Sequence, residues 1–266
     1  MRAPWTIKIV ALAASLTGCR SPEWLSPLPH DGVTVAAIQL GDVDPSAIDP
    51  GCGRGDDNCA VEALVRRAAA GSAALVVVPE YALEQRAPEP FVGLGSRPTT
   101  PLLGRFRRLA DELDIFLVIN LETTLDQRNY NTQVAFDPEG TVVATHRKFE
   151  LYGEERETLV PGDDVAAFDT PFGRVGLLIC ADIYGDPGLH EKLVDDLNVS
   201  IVAFSAMWTV PHARRWQAAF AHDWGVTLVA ANATGEGGRG GGVFSPTGQQ
   251  ISPDGRIAFA QLPRAN

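Results

Sequence analysis

Short apolar runs alternate with longer amphipathic stretches along the chain. The β-branched run at residues 33–40 and the run at 74–79 each predict a buried strand, and residues 60–70 between them have helical composition. Arg66 and Arg67 are expected on the solvent face of that helix. This order continues along the chain and predicts an α/β fold, with helices covering sheets. Further strands or closing segments are predicted at 115–120, 132–136, 141–145, 175–179, 200–204, 227–232, 242–245 and 256–260, and further helices at 102–113, 189–197 and 212–224.

Three of these apolar runs end in polar groups that could take part in catalysis. The run at 74–79 leads into Glu80, the run at 141–145 leads into His146-Arg147-Lys148, and the run at 174–179 ends at Cys180. Open α/β sheets place their chemistry at the carboxyl ends of strands. A base, a cation and a nucleophile are the groups that a thiol acyl-transfer site needs.

Each of the three residues also has an ordinary structural interpretation. Cys180 could be a small buried hydrophobe, Glu80 a cap, and Lys148 the solvated end of a hairpin strand. Their joint order and flanking motifs favour the catalytic interpretation.

The N-terminal segment has the pattern of a secretory signal peptide. Arg2 and Lys8 precede an apolar run that is too short to span a bilayer, and residues 1–18 end in small residues before Cys19. The sequence at 16–19 resembles the bacterial lipobox, which predicts lipidation of Cys19 and a membrane anchor on the extracytoplasmic side. An ordinary signal peptide is the alternative. Residues 19–30 are then a proline-containing tether, and 31–266 form one domain.

The charge of the chain argues against nucleic acid as a partner. The formal net charge is −11, and loss of Arg2 and Lys8 with the signal peptide would make it more negative. Such a surface repels nucleic acid and anionic headgroups.

Cys52 and Cys59 lie in one glycine-containing loop. An oxidising compartment allows them to form a disulfide, and the loop can bring the sulfurs together. Metal binding is the alternative, but two ligands without a nearby His make an incomplete zinc set. No metal or cofactor is expected.

The chemical residues lie in short motifs that resemble the nitrilase or carbon-nitrogen hydrolase superfamily over residues 31–262. Within it, the chain looks most like the biotinidase and vanin (pantetheinase) branch. The superfamily motifs are Val78-Pro79-Glu80-Tyr81, His146-Arg147-Lys148 with Leu151-Tyr152-Gly153-Glu154-Glu155, and Ile179-Cys180-Ala181-Asp182-Ile183; the branch motifs are Phe168-Asp169-Thr170-Pro171-Phe172-Gly173, Trp208 to His212, and His222-Asp223-Trp224-Gly225.

The resemblance implies a fold and a role for each residue. The fold would be a four-layer α-β-β-α sandwich. Glu80 would be the general base, while Lys148 and the backbone N–H of Ala181 would stabilise an oxyanion. Glu155, or Glu154 after a one-residue shift, would be a second acid near Lys148.

Three residues are candidates for the substrate pocket. Trp208 is a candidate pocket wall, with an aromatic core filler as the alternative. His212 occupies a position that is also His in the vanin-like branch, and Tyr81 follows the predicted base. His222 is expected to pack or cap near Trp224 rather than to ligate a metal with His212.

These observations predict an amidohydrolase that cleaves a linear carbon-nitrogen bond through a Cys180 thioester, without a cofactor. Biotin-amide or pantetheine-like substrates are suggested by the branch resemblance alone. A catalytically silent binding lipoprotein and an acyltransferase with the same triad are the alternatives. The expected partners are a small-molecule amide, a membrane reached through lipidated Cys19, and a second copy of the chain, because superfamily members commonly dimerise.

Overall fold

The strands of this chain form two sheets. The computed structural model describes residues 32–41, 43–209, 212–234 and 240–263, and of His212 the backbone alone. The predicted signal peptide, Cys19 and the whole tether lie outside the described residues. In chain order the strands are β1 (Gly32–Ile38), β2 (Ala73–Val77), β3 (Glu89–Pro90), β4 (Phe116–Leu125), β5 (Arg128–Phe136), β6 (Val142–Arg147), β7 (Ala166–Thr170), β8 (Gly173–Ile179), β9 (Ile201–Ala206), β10 (Thr227–Asn232), β11 (Gly242–Phe244) and β12 (Ile257–Pro263).

Both sheets mix parallel and antiparallel strands. The first has the order β12-β1-β2-β4-β5-β6, with β3 beside β4, and the second has the order β11-β10-β9-β8-β7. Strands β1, β2 and β4 run parallel, whereas β5 and β6 follow β4 as an antiparallel meander. In the second sheet β8, β9 and β10 run parallel between antiparallel edges.

The longer helices cover the outer faces of the sheets. In chain order, the helices are α1 (Pro45–Ile48), α2 (Asp57–Ala70), α3 (Pro101–Leu113), α4 (Glu155–Thr158), α5 (Pro187–Glu191) and α6 (His212–Asp223), with a 3₁₀ turn at Cys180–Tyr184 and a π-helical turn at Lys192–Asp196.

Successive side chains of the central strands face different layers. Val35 and Ala37 of β1 pack with Leu177 of β8 between the two sheets, whereas Ala36 and Ile38 face α2 and α3. This alternation follows from the two-residue period of a strand. Both faces of each sheet are covered. Burying each large aliphatic side chain in this way stabilises the fold by about 1.5–3 kcal/mol. The four-layer α-β-β-α sandwich implied by the resemblance is therefore confirmed.

Strand β3 and the short helices α1 and α4 were not predicted, and three further details differ from the sequence prediction. Strands β4 and β5 are longer than predicted and form a hairpin through Asp126 and Gln127, which both have positive φ. Glycine or asparagine usually marks such a turn, so the signal was weak. Strand β7 was not predicted, and the helix predicted at 189–197 is divided into α5 and the π-helical turn.

The two cysteines outside the predicted site form the expected disulfide. Cys52 and Cys59 are bonded, with a Cα–Cα distance of 5.6 Å. Cys59 lies in the first turn of α2, where its backbone N–H donates to the Asp56 side chain. The disulfide therefore fixes the N-terminal end of α2.

None of the helices within the described ranges is long and apolar enough to cross a bilayer.

Candidate active site

The predicted chemical residues follow strands that end on the same side of the molecule. Glu80 comes three residues after β2, Lys148 directly after β6, and Cys180 directly after β8. Because β4 runs with β2 and β6 runs with β4, the carboxyl ends of β2 and β6 lie at one edge of the first sheet. A hydrogen bond of 2.7 Å from Ser205 Oγ to the carbonyl of Val78 connects that edge to the second sheet.

Glu80 is buried and fully engaged by polar partners. Its side chain accepts hydrogen bonds at Oε1 from Lys148 Nζ at 2.8 Å and from Asn131 Nδ2 at 2.9 Å. The residue is only 1% exposed. Burial raises the pKa of its carboxyl above the ordinary value, although Lys148 and the Cys180 thiol oppose that shift.

Lys148 joins two carboxylates. Its Nζ lies 2.7 Å from Glu155 Oε2 as well as 2.8 Å from Glu80 Oε1. Burial favours the neutral amine, but the charge of Glu80, followed by Cys180 and the hydrogen bonds of Glu155, more than offsets it and raises the pKa of Lys148. The lysine is therefore a fixed cation in a buried site.

Cys180 begins the 3₁₀ turn at the end of β8 with φ of 48°. Such a backbone conformation is uncommon for a residue other than glycine and points to a functional constraint. The sulfur is buried, and Glu80 and Lys148 lie close enough to its thiol to act on it electrostatically. Burial and the charge of Glu80 raise the pKa of the thiol, although Lys148 lowers it.

Ala181 follows as the second residue of the same turn and is buried. The first backbone N–H groups of a helical turn have no acceptor within that turn. The Ala181 N–H is thus available near the sulfur as a donor for a developing oxyanion.

These positions define a consistent proton path. A thiol with a raised pKa is protonated at neutral pH, so it becomes a nucleophile when an adjacent base removes its proton during attack. Glu80 is placed where such a base is needed, and Lys148 places a positive charge beside the sulfur.

Of the two predicted second glutamates, only Glu155 belongs to this network. Its carboxylate accepts from Lys148, from Asn131 Nδ2 at 3.0 Å and from the Tyr81 hydroxyl at 2.7 Å. Burial alone would raise the pKa of Glu155, but the hydrogen bonds from Lys148 and from the Tyr152 N–H hold it below the ordinary value. The side chain of Glu154 is exposed, so the shifted alignment is wrong.

Tyr81, predicted as a pocket residue, supports Glu155 through its hydroxyl. It has φ of 52°, and its backbone N–H donates to Asn120 Oδ1 at 3.0 Å. Asn120 in turn donates to Asn131 Oδ1 at 2.6 Å. Asn120 and Asn131 orient both glutamates. They were not predicted from the sequence, because neither lies in a recognisable catalytic motif.

Asp182 is a third residue to which no role was assigned from the sequence. It is fully buried, and its carboxylate accepts from the backbone N–H groups of Ile179, Phe149 and Glu150 at 2.9, 3.0 and 2.9 Å. His146 Nε2 lies 2.8 Å from the same carboxylate. Asp182 therefore holds the segment that carries Cys180 against the segment that carries Lys148.

Trp208 lies at the sulfur, after the end of β9. Its indole N–H donates to Cys180 Sγ at 2.8 Å, and Tyr184 stacks on its ring at a centroid distance of 5.2 Å. The side chain of His212 lies outside the described residues. The side chain of His222 is 67% exposed and hydrogen-bonded to Asp223, so it does not pack in the interior; it lies in the last turn of α6, which leaves the capping part of the expectation open.

Within the described ranges, no cluster of three or more His, Cys, Asp or Glu side chains has the arrangement of a metal site.

The fold is a four-layer sandwich, and its cysteine, glutamate and lysine cluster contains the groups that thiol-dependent acyl transfer requires. A sequence model of the carbon-nitrogen hydrolase family matches residues 31–264. The chain belongs to this family.

The chain is similar to curated proteins and to solved structures. Mouse pantetheinase is 31% identical over 190 residues, which cover 62% of this chain and 37% of that protein. Rat biotinidase is 33% identical over 188 residues, which cover 61% and 36%. The matches therefore span little more than a third of these curated relatives. Among solved structures, an active-site variant of the Nesterenkonia AN1 amidase of the nitrilase superfamily superposes with a TM-score of 0.71 at 21% identity, covering 90% of this chain and 94% of that one, which supports the fold.

Proposed function

We propose that this protein is an amidohydrolase that cleaves a linear amide through a thioester on Cys180. The observation that carries the proposal is the buried cluster in which the hydrogen-bonded Glu80–Lys148 pair lies beside Cys180. The cluster contains a base, an oxyanion-stabilising cation and a nucleophile.

The first half-reaction forms the acyl-enzyme. Glu80 takes the thiol proton as Cys180 Sγ bonds to the amide carbon, and Lys148 with the Ala181 N–H stabilises the oxyanion. The carbon-nitrogen bond then breaks, and Glu80 returns the proton to the departing amine. A thioester and a free amine result.

The second half-reaction releases the acid. Glu80 takes a proton from a water molecule as the water oxygen attacks the thioester carbon. The carbon-sulfur bond breaks, and the sulfur regains the proton, so that the resting site is restored without an external oxidant or reductant.

For the substrate, we propose an amide of the pantetheine or biotin-amide type. Pantetheinase and biotinidase are the names of the relatives described above, and each aligned region includes less than two fifths of their length.

A hydrolysis screen tests the proposal. Pantothenyl, biotinyl and simple aliphatic amides are incubated with the wild-type protein and with Cys180→Ala as the blank, and amine and acid are quantified. Amine release by the wild type alone supports the proposal. Release that survives in the blank, or ligand binding without any turnover, contradicts it. An added amine distinguishes hydrolysis from acyl transfer, because transfer yields a new amide in place of the acid.

We also propose that Cys19 carries lipid and holds the domain on the extracytoplasmic side of a membrane. The support is the sequence at 1–19, together with a disulfide that suits an oxidising compartment. Expression in a bacterium with an alkyne fatty acid tests this. Labelled, membrane-bound protein is expected for the wild type, and Cys19→Ala should lose the label; an unlabelled wild type contradicts the anchor.

A further inference from the structure

The indole N–H of Trp208 is directed at the reacting atom. Nε1 lies 2.8 Å from Cys180 Sγ, and Trp208 is half-buried beside a buried sulfur. We infer that Trp208 is a catalytic residue that donates a hydrogen bond to the sulfur and stabilises its anionic form during attack and departure. This inference rests on the proposed function.

The backbone of Trp208 is held in place from the neighbouring strand. Its N–H donates to Asn232 Oδ1 at 2.7 Å, and its carbonyl accepts from Asn232 Nδ2 at 2.7 Å and from Thr234 Oγ1 at 2.5 Å. Asn232 is the last residue of β10 and is completely buried. These three bonds fix the point from which the indole extends.

The ring of Trp208 is held by two other aromatic rings. Tyr184 stacks on it with an interplanar angle of 19°, and Phe204 contacts it edge to face at a centroid distance of 5.5 Å. An aromatic ring in such contacts has little rotational freedom. The N–H direction is therefore set before any substrate enters, as a preorganised donor requires.

The remaining contacts of the sulfur make this donor useful. Glu80 and Lys148 lie near the thiol, and the backbone of Met207 also interacts with the sulfur. Glu80 removes a proton but offers no stabilisation to the charge that is left behind, so Lys148, the Met207 backbone and the Trp208 N–H are the groups that oppose that charge. A neutral thiol or thioester sulfur is a weak acceptor, whereas an anionic sulfur is a strong one. The Trp208 bond is thus strongest when the sulfur carries charge, which is the condition for accelerating both half-reactions.

A pocket wall would make a different prediction from a donor. A wall acts through the shape of the ring and affects how the substrate binds. A donor acts on Cys180 itself, so its loss changes the reactivity of the sulfur toward a small reagent that needs no pocket.

The experiment measures alkylation of Cys180 by iodoacetamide across pH, quantified on the peptide that contains this residue. The variants are Trp208→Phe, which keeps a ring and removes the N–H, and 3-benzothienylalanine at position 208, which keeps the bicyclic shape and also lacks the N–H. Trp216→Phe is the matched control, because Trp216 contacts Tyr184 edge to face at 4.7 Å but is exposed. Circular dichroism checks the folding of each variant.

Both replacements at position 208 are expected to slow alkylation about 10- to 100-fold near neutral pH and to move its pH profile upward, as the loss of a hydrogen bond to a charged group predicts. Trp216→Phe should stay within about twofold. Should Trp208→Phe fail to fold, the benzothienyl variant decides. Wild-type rates and an unchanged pH profile in that variant would overturn the inference.

This readout separates the inference from the proposed function. If the wild type hydrolyses no amide while the alkylation difference holds, the hydrolase proposal fails and the donor role of Trp208 toward sulfur stands. If amides are hydrolysed but alkylation is insensitive to position 208, the donor role fails alone.

Discussion

Lys148 Nζ and Glu80 Oε1 form an ion pair of 2.8 Å whose two side chains are each 2% exposed. The pair connects the segments after β6 and β2, which lie 68 residues apart in the chain. A buried pair is stabilising only while both partners are present, because either charge alone is poorly solvated. The same pair serves the proposed chemistry, so substitutions there are expected to affect both stability and rate.

Lys148→Met should lower kcat/KM by at least about 100-fold, since one oxyanion-stabilising donor is lost. It should also lower the free energy of unfolding by about 3–5 kcal/mol, because Glu80 and Glu155 lose their shared cation. Steady-state kinetics and urea denaturation measure the two effects.

The double variant Lys148→Met/Glu80→Gln is the control for charge. It should recover part of the stability and none of the activity, because one unpaired carboxylate is removed together with the base. Equal stability of the single and double variants would contradict the account of the ion pair.

Asp182→Asn should reduce kcat by about 10- to 100-fold with little change in KM, because an error of about 1 Å in the placement of reacting groups can cost about that much. An amide has one acceptor oxygen for four donors, so the segments carrying Cys180 and Lys148 lose their common anchor. Asp182 is in this view a positioning residue. Kinetics and the iodoacetamide rate of Cys180 measure the effect.

Asp186→Asn is the matched control for this substitution. Asp186 caps the exposed start of α5 by accepting from the Gly188 N–H at 2.9 Å, away from the sulfur. The activity of the Asp186→Asn variant should equal that of the wild type. A loss of unfolding free energy in Asp182→Asn without any change in kcat would reduce Asp182 to a structural role.

The pH dependence of kcat/KM should reveal Glu80. Its base form is the deprotonated one, and burial raises its pKa above the ordinary value of 4.5. Activity should therefore rise with pH through a limb that lies above that value. Glu155 does not explain such a limb, because its pKa is shifted the other way. A pH profile that is flat down to about 4.5, or unchanged in Glu80→Gln, would contradict this assignment.

The Cys52–Cys59 disulfide should contribute stability rather than catalysis. Closing its short loop is expected to stabilise the fold by about 2.5 kcal/mol, so Cys52→Ser/Cys59→Ser should melt about 5–10 °C lower. Activity at 20 °C should stay within about threefold. Calorimetry with and without reductant measures this, and the double variant should not respond to reductant. Equal melting temperatures of oxidised and reduced wild type would refute it.

The sequence predicted the residues that end strands better than those that lie within them. Glu80, Lys148 and Cys180 could be found because an apolar run that stops at a polar group is visible in a single sequence. Asn131 lies within β5, and it reaches Glu80 only because β5 pairs with β6 in one register, where the Lys148 N–H donates to the Asn131 carbonyl at 2.8 Å. A one-residue slip would turn it to the other face.

The second glutamate shows the same limit. Glu154 and Glu155 are adjacent, and the composition of the segment does not separate them. The short helix α4 begins at Glu155 and directs this side chain toward Lys148, with its carboxylate also accepting from the Tyr152 N–H at 2.9 Å. That choice depends on backbone geometry, which the sequence pattern did not reveal.

Rapid-quench mass spectrometry tests the nucleophile most directly. The protein is mixed with an acyl p-nitroanilide, quenched in acid within milliseconds, and mapped by peptide. The account predicts the acyl mass on the peptide that contains Cys180, at up to one equivalent, and none in Cys180→Ala. Acylation at another residue, or amine release by Cys180→Ala at the wild-type rate, would contradict the account.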